Sequence, residues 1–235
     1  MSALERVEYS DGPAALTGWL ARPARTARAA VAVFPTIMNA TPAVEAKALA
    51  LAEAGYVALI ADFYGEAPTD FGHAIKLATA LRSEVDQYRA RLSAALVKLT
   101  ELALGLPQAA IGFCMGGQAV LELARKKADL ALVGSFHGLL DTDRPAPAGV
   151  QITPRILVCH GDADTLVPRP LVTAFWEEMD AAGADWHFHS YSGVGHGFTN
   201  PNPPPAGGPS NYNASADRQS WAALLGLLDE VFAQP

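Results

Sequence analysis

The sequence has little of what marks a secreted, membrane or nucleic-acid-binding protein. Two of its 235 residues are cysteine, which argues against a disulfide framework. No apolar run reaches the roughly 18 residues of a membrane helix, and the N-terminal stretch lacks the basic start and apolar core of a signal peptide. Acidic residues outnumber basic ones, giving a formal net charge of -7, which disfavours binding to a phosphate backbone. We therefore expect a cytoplasmic protein that binds neither nucleic acid nor membrane, with its oligomeric state left undefined.

The pattern of apolar residues indicates a single α/β domain over residues 1–235. Half of the chain is hydrophobic, which suffices for one large core. Short buried runs alternate with longer helical patterns, as in a mostly parallel central sheet with helices on both faces. Strands are predicted in an N-terminal hairpin around Asp11-Gly12 and in the runs AAVAVFP, YVALIAD, QAAIGFC, LALVGSFHG, RILVCHG and DWHFHSYSG. Helices are predicted at 41–55, at 71–104 with a break near Ser83, after Cys114, at 168–183 and at 213–232.

A cysteine occupies the centre of the segment GFCMG at residues 112–116. This G-x-nucleophile-x-G form follows a buried strand and opens a helix, the context in which the motif carries chemistry. Small residues at 112 and 116 let the sharp turn close, and the Met115 N–H would point to an oxyanion on a tetrahedral intermediate. A helix N-terminus and a nearby imidazolium lower a thiol pKa from its reference of roughly 8.5. We predict that Cys114 is a nucleophile; the alternative is a buried structural cysteine.

Two polar residues downstream follow buried strands in the order that a catalytic triad requires. Asp164 lies in HGDADTLVP, and His196 lies between two glycines after the next strand. The carboxyl ends of neighbouring parallel strands meet over one crevice, so these side chains should converge on Cys114. We predict that His196 takes the thiol proton or pairs with the thiolate, and that Asp164 orients the imidazole. Asp162 is the alternative acid, although a role in shaping the turn together with Gly161 explains it better.

Other polar side chains have simpler explanations than catalysis. His137 ends a strand and could line the crevice, but packing explains it better. Packing, exposure or a loop-shaping role explains the remaining candidates: His160, His187, His189, Cys159 and Asp62. A metal site on the two strand histidines would need a third ligand, and no G-x-G-x-x-G spacing marks a nucleotide. We expect no metal and no organic cofactor.

The segments GFCMGG, HGDADTLVP and GHGF, together with DFYG at 62–65, make the chain resemble the dienelactone hydrolase family over nearly its whole length. The resemblance implies an α/β-hydrolase fold and a triad of Cys114, Asp164 and His196. It also implies an oxyanion hole made by the backbone N–H of Met115 and a second N–H at or near Ile37.

The chain departs from that family pattern where the family holds an anionic lactone. Members that cleave dienelactones carry a glutamate where Thr36 stands and an arginine where Asn200 stands; a second arginine position falls near Phe71. Arg82, Arg89 and Arg91 lie in the same helical region. Threonine and asparagine cannot replace a bidentate arginine–carboxylate contact. The predicted pocket consists of Thr36, His137, Phe198 and Asn200.

The leading hypothesis is a hydrolase of small carboxylic esters or lactones that forms an acyl-thioester on Cys114. A second hypothesis keeps the triad but assigns acyl transfer or another small-acyl substrate, with the Pro- and Gly-rich segment 199–211 shaping the pocket. A third, motivated by the missing glutamate, is a non-catalytic ligand-binding or redox-sensing protein with a protonated, slowly reacting thiol.

Overall fold

The computed structural model describes residues 3–202 and 211–233. Residues 203–210, most of the segment predicted to shape a pocket, lie outside the described residues. The strands are β1 Glu5–Asp11, β2 Ala14–Ala21, β3 Ala29–Phe34, β4 Tyr56–Ile60, β5 Gln108–Phe113, β6 Leu132–Phe136, β7 Arg155–Gly161 and β8 Trp186–Tyr191. The helices are α1 Pro42–Glu53, α2 Phe71–Arg82, α3 Val85–Leu102, α4 Met115–Arg125, α5 Arg169–Ala181 and α6 Ala214–Val231.

The eight strands form one mostly parallel sheet in the order β1-β2-β4-β3-β5-β6-β7-β8. The hairpin of β1 and β2 is antiparallel, and β2 pairs antiparallel with β4. All pairings from β4 through β8 are parallel. The carboxyl ends of β5, β7 and β8 therefore lie at one edge of the sheet, where the candidate triad residues follow them.

Each face of the sheet has its own apolar core, and helices cover both. Strand β3 shows how the sequence divides between them, because successive side chains of a strand point to opposite faces. Ala30, Ala32 and Phe34 pack with residues of α2 to α5, while Val31 and Val33 pack with residues of α1 and α6. The predicted α/β architecture, with helices on both faces, is confirmed.

Helix ends fall where short polar side chains cap them. The Thr41 hydroxyl accepts a hydrogen bond from the Val44 N–H at the start of α1, and Asp70 caps α2 in the same way. The predicted break near Ser83 is confirmed, because α2 ends at Arg82 and α3 begins at Val85. None of the helices in the described ranges has the length and apolar character needed to cross a membrane.

Asp62 organises the loop that follows β4. One carboxylate oxygen accepts hydrogen bonds from the N–H groups of Tyr64 and Gly65 and from the Asn39 side chain, and the other accepts from the Thr17 N–H. The strand ends at Ile60, two residues before the predicted end, and the Asp62 N–H donates to the Tyr9 hydroxyl instead of to a neighbouring strand. Through Asn39 the carboxylate also fixes the loop after β3, which borders the candidate active site.

Candidate active site

Cys114 lies on a sharp turn between β5 and α4, as its motif predicts. Its backbone has a φ of 55°, in the left-handed region. The turn closes only because glycine stands two residues away on each side. A Cβ at Gly112 would overlap the carbonyl oxygen of Gly116, and a Cβ at Gly116 would overlap that of Phe34. The sequence thus places the thiol at the N-terminus of α4, over the carboxyl edge of the sheet.

His196 and Asp164 meet at this edge although they are 32 positions apart in the chain. The His196 Nδ1 lies 2.7 Å from Asp164 Oδ2, and Asp164 Oδ1 accepts a hydrogen bond from the Leu166 N–H at 2.9 Å. The carboxyl group of Asp164 is fully buried, so it presents a fixed acceptor. Asp162, the alternative acid, instead pairs with Arg169 at 2.7 Å near the surface.

The charges of Cys114 and His196 stabilise each other. Burial alone would raise the pKa of the Cys114 thiol, but His196 and the N–H groups of Met115 and Ile37 outweigh it, and the thiol pKa is lowered. Burial alone would lower the pKa of His196, but Asp164 and the Cys114 thiolate raise it to about 10. Hydrogen bonding between the imidazole and the sulfur and the attraction of their charges both contribute to these two shifts.

The two predicted oxyanion-hole donors both act on the Cys114 sulfur. The N–H groups of Met115 and Ile37 hydrogen-bond to it and help to lower its pKa. Tyr64 holds the Ile37 segment in place, because its hydroxyl donates to the Ile37 carbonyl oxygen at 3.1 Å. Donors that stabilise a thiolate are also placed to stabilise an oxyanion on a carbon bonded to that sulfur.

A cavity of about 330 Å³ opens onto Cys114 and His196. It contains three of the four predicted pocket residues, Thr36, His137 and Asn200. Its other lining residues are Thr41, Ala43, Val44, Lys47, Phe71, Phe113, Gly197, Thr199, Asn202 and Asn211. Phe198, the fourth predicted pocket residue, is fully buried in the core and packs edge-on against His137 and Tyr191. Its side chain therefore belongs to the core and not to the lining of the cavity.

The arginines of the helical region lie away from this cavity. Arg82 lines a separate small cleft beside Tyr88, Arg89 pairs with Glu122 at 2.8 Å, and Arg91 pairs with Asp11 at 2.8 Å. Among the described lining residues, Lys47 is the one lysine or arginine. Its Nζ lies 2.6 Å from Asp217 and over the Trp221 ring. The cation is thus matched by a carboxylate, and amides and hydroxyls supply most of the remaining polar lining.

The remaining cysteine and histidines that the sequence offered as candidates add no second reactive or metal-binding group among the described residues. Cys159 is fully buried, and burial raises the pKa of its thiol to about 12. His160 is buried, and burial lowers its pKa. His187 and His189 share β8, but in the described ranges no three His, Cys, Asp or Glu side chains form a group that could hold a metal ion. His137 is packed in the core as predicted, and its ring also bonds to the turn that carries Cys114.

The sheet is mostly parallel and eight-stranded, with Cys114 at the turn after β5, Asp164 after β7 and His196 after β8. This arrangement has the form of an α/β hydrolase. The structure superimposes on a dienelactone hydrolase-like promiscuous phosphotriesterase from metagenomic libraries with a TM-score of 0.90 and 32% identity, covering 98% of each chain. It also superimposes on a dienelactone hydrolase from Anabaena variabilis with a TM-score of 0.69 and 20% identity, covering 98% of this chain and 97% of that one.

The chain belongs to the dienelactone hydrolase family, whose model matches residues 16–232. A protein of Bradyrhizobium, named a probable 2-oxo-3-(5-oxofuran-2-ylidene)propanoate lactonase, is 30% identical over 213 residues, covering 83% of this chain and 84% of that protein. The family predicted from the sequence motifs is confirmed, and with it the hydrolytic class of enzyme.

Proposed function

We propose that the protein hydrolyses small, uncharged carboxylic esters or lactones with a triad of Cys114, His196 and Asp164. The observation that carries the proposal is the lowered thiol pKa of Cys114, caused by His196 and two backbone N–H groups, while Asp164 lies 2.7 Å from the imidazole. The thiolate is the reactive form of a cysteine nucleophile, and a lowered thiol pKa increases its share. The lowered pKa also weighs against the hypothesis of a protonated, slowly reacting thiol.

In the first half of the reaction the Cys114 thiolate attacks the carbonyl carbon of the ester. The N–H groups of Met115 and Ile37, which hold the thiolate in the free protein, then stabilise the oxyanion. When the tetrahedral intermediate collapses, the bond to the leaving oxygen breaks and that oxygen takes the proton from His196. The products are an alcohol, a thioester on Cys114 and a neutral imidazole.

In the second half a water molecule hydrolyses the thioester. Acylation removes the negative charge of the sulfur, and with it one of the causes that raise the pKa of His196. The neutral imidazole can therefore accept a proton from the attacking water, while Asp164 keeps the ring oriented. Collapse of the second intermediate releases the carboxylic acid and restores the thiolate and the imidazolium.

The lining of the cavity favours uncharged substrates. Thr36 and Asn200 supply neutral polar groups, Phe71 supplies an aromatic surface, and Lys47 is already paired with Asp217. A substrate carboxylate buried here would lack the charge-assisted hydrogen bonds that offset its desolvation. We therefore expect neutral esters and lactones to be turned over faster than an anionic dienelactone.

The first test compares wild type with Cys114→Ala and Cys159→Ala on short and long chromogenic esters, a neutral lactone and an anionic dienelactone. We expect Cys114→Ala to lose hydrolysis of neutral esters by at least about 10³-fold, because a triad acts as a unit. Cys159→Ala is the matched control, since its thiol is buried away from the cavity. Ester hydrolysis that persists in Cys114→Ala would contradict the proposal.

The same variants test two further hypotheses about the reaction, phosphotriester hydrolysis and acyl transfer. Phosphotriesters belong in it because the neutral lining suits an uncharged ester of phosphorus, and because a 32% identical structural neighbour is described as a promiscuous phosphotriesterase. Acyl transfer would appear as a new ester when an alcohol acceptor is added. Phosphotriester turnover that depends on Cys114 would broaden the proposed substrate class without changing the nucleophile.

A further inference from the structure

His137 stands between the turn that carries the nucleophile and the loop that carries the base. Its Nδ1 accepts a hydrogen bond from the Cys114 N–H at 3.1 Å, which that N–H shares with the Phe136 carbonyl oxygen at 3.0 Å, and its Nε2 lies 2.9 Å from the Thr199 hydroxyl oxygen. Thr199 follows His196 by three residues. One ring thus connects the end of β5 to the loop after β8, two segments whose relative position sets the distance from thiol to imidazole.

The hydrogen bonds define the protonation of this ring. A nitrogen that accepts from a backbone N–H carries no proton, so the proton of neutral His137 lies on Nε2 and points to Thr199. Burial lowers the pKa of His137 well below its ordinary value, and the nearby His196 cation lowers it further. The ring therefore stays neutral beside the charged imidazolium of His196, with 5.3 Å between the two ring centroids.

The backbone around His137 is held as tightly as its ring. Its φ is 41°, so both His137 and Cys114 lie in the left-handed region that side chains seldom adopt. The His137 N–H donates to the Cys159 carbonyl oxygen at 2.8 Å, and the ring packs edge-on against Phe198. A ring fixed on so many sides is suited to hold the strained turn at Cys114 in place.

We propose that His137 is a positioning residue that fixes the Cys114 turn relative to His196 through its bonds to the Cys114 N–H and the Thr199 hydroxyl. The role rests on the proposed function, since it concerns the same thiol. Without the bridge, the turn relaxes and the sulfur moves from His196 and from the two N–H groups. Small displacements of reacting groups cost much rate, because the reaction requires near-attack geometry.

The experiment separates the two halves of the bridge. His137→Phe keeps an aromatic ring but removes both hydrogen bonds. His137→Asn keeps an acceptor near the Nδ1 position and suits a left-handed backbone, so it guards against simple misfolding. Thr199→Val removes the second half without changing residue 137, and Thr199→Ser is its matched control because it keeps the hydroxyl.

Two quantities are measured for each variant, along with thermal unfolding. The first is kcat and KM for the best neutral ester. The second is the pH dependence of Cys114 alkylation by iodoacetamide, which needs no turnover. Cys114→Ala serves as the blank, and Cys159 is too deeply buried to contribute at neutral pH.

We expect kcat of His137→Phe to fall by about 10- to 100-fold with KM nearly unchanged, and its alkylation midpoint to move to higher pH. His137→Asn and Thr199→Val should show smaller changes in the same direction, and Thr199→Ser, which keeps the hydroxyl, should change less than Thr199→Val. An unchanged alkylation midpoint in His137→Phe, whether or not its melting temperature falls, would overturn the positioning role. Activity that persists in Cys114→Ala would refute the triad itself. Activity that is lost in Cys114→Ala but unchanged in His137→Phe would leave the triad in place and refute only the role of His137.

Discussion

At the scale of single residues, reactivity depends on how burial and charge compete at Cys114 and His196. Burial opposes the charged form of each side chain, yet the thiol pKa is lowered and the imidazole pKa is raised to about 10. Each charge is the partner of the other, and Asp164 adds a hydrogen bond that favours the imidazolium. The thiolate–imidazolium pair should therefore persist between the lowered thiol pKa and about pH 10.

Replacing Asp164 by Asn should narrow this pH range from both sides. Loss of the carboxylate lowers the pKa of His196, so the alkaline limb of the pH–rate profile moves to lower pH. A less charged imidazole stabilises the thiolate less, so the acidic limb moves to higher pH. We expect kcat/KM to fall by up to about 10⁴-fold, as it does when a serine triad loses its aspartate. The measurement is kcat/KM for a neutral ester across the pH range.

Asp162→Asn is the matched control for that profile. Asp162 is two residues from Asp164 but pairs with Arg169 near the surface. Its replacement should leave both limbs of the profile in place. If the pH–rate profile narrowed in Asp162→Asn and not in Asp164→Asn, Asp162 and not Asp164 would be the carboxylate that orients His196.

At the scale of secondary-structure elements, the turn between β5 and α4 depends on close contact between backbone atoms. Gly116 faces the carbonyl groups of Phe34 and Pro35 at the end of β3, and Gly112 faces Gly116. No side chain fits between these segments, so the helix can approach the sheet only where glycine stands. The same approach aims the N-terminus of α4 at the thiol.

Gly116→Ala should destabilise the protein by about 3 kcal/mol or more, because a Cβ at this position forces β3 and α4 apart. Gly226 in α6 provides the matched control, because open space surrounds the position of its absent Cβ. Gly226→Ala should stabilise by about 0.5–1 kcal/mol through lower chain entropy in the unfolded state. Urea unfolding followed by circular dichroism measures both changes, and equal effects at the two positions would refute the argument.

At the scale of the whole molecule, a buried ion network joins two helices on one face of the sheet. The fully buried Arg125 guanidinium of α4 contacts Glu122 at 3.1 Å and Glu178 of α5 at 2.8 Å, and it donates to the Leu140 carbonyl oxygen at 2.7 Å. Every donor of such a group must find a partner when water is excluded. The network therefore joins α5, which follows the Asp164 loop, to α4, which begins directly after Cys114.

Removing the Arg125 cation should lower the free energy of unfolding far more than removing a cation at the surface. Arg125→Ala leaves Glu178 without its cation and leaves Glu122 paired with Arg89 alone, and we expect a loss of about 3 kcal/mol in the free energy of unfolding. Arg144→Ala is the control, because its ion pair with Asp86 is solvent-exposed and should contribute nothing measurable. Chemical denaturation of both variants tests the difference; a similar loss in each would contradict it.

Much of the fold follows from local patterns in the chain. The continuous apolar run of β3, the Thr41-Pro42 start of α1 and the break near Ser83 are all patterns of a few residues, so they can be predicted without a partner segment. The glycines around Cys114 belong to the same class, because the sharp turn requires them locally. The sequence alone therefore determined the helices and strands, the family and the positions predicted for the triad.

Only the tertiary structure decided which distant side chains meet. It placed Asp164 beside His196 and Asp162 in an ion pair near the surface. It also buried Phe198 in the core and placed Arg89 and Arg91 in ion pairs away from the cavity. It also showed that His137 bonds to the Cys114 turn, which its position at a strand end did not indicate. The physical reason is common to all of them: burial and hydrogen bonding depend on segments brought together by the sheet, and sequence spacing carries no record of those contacts.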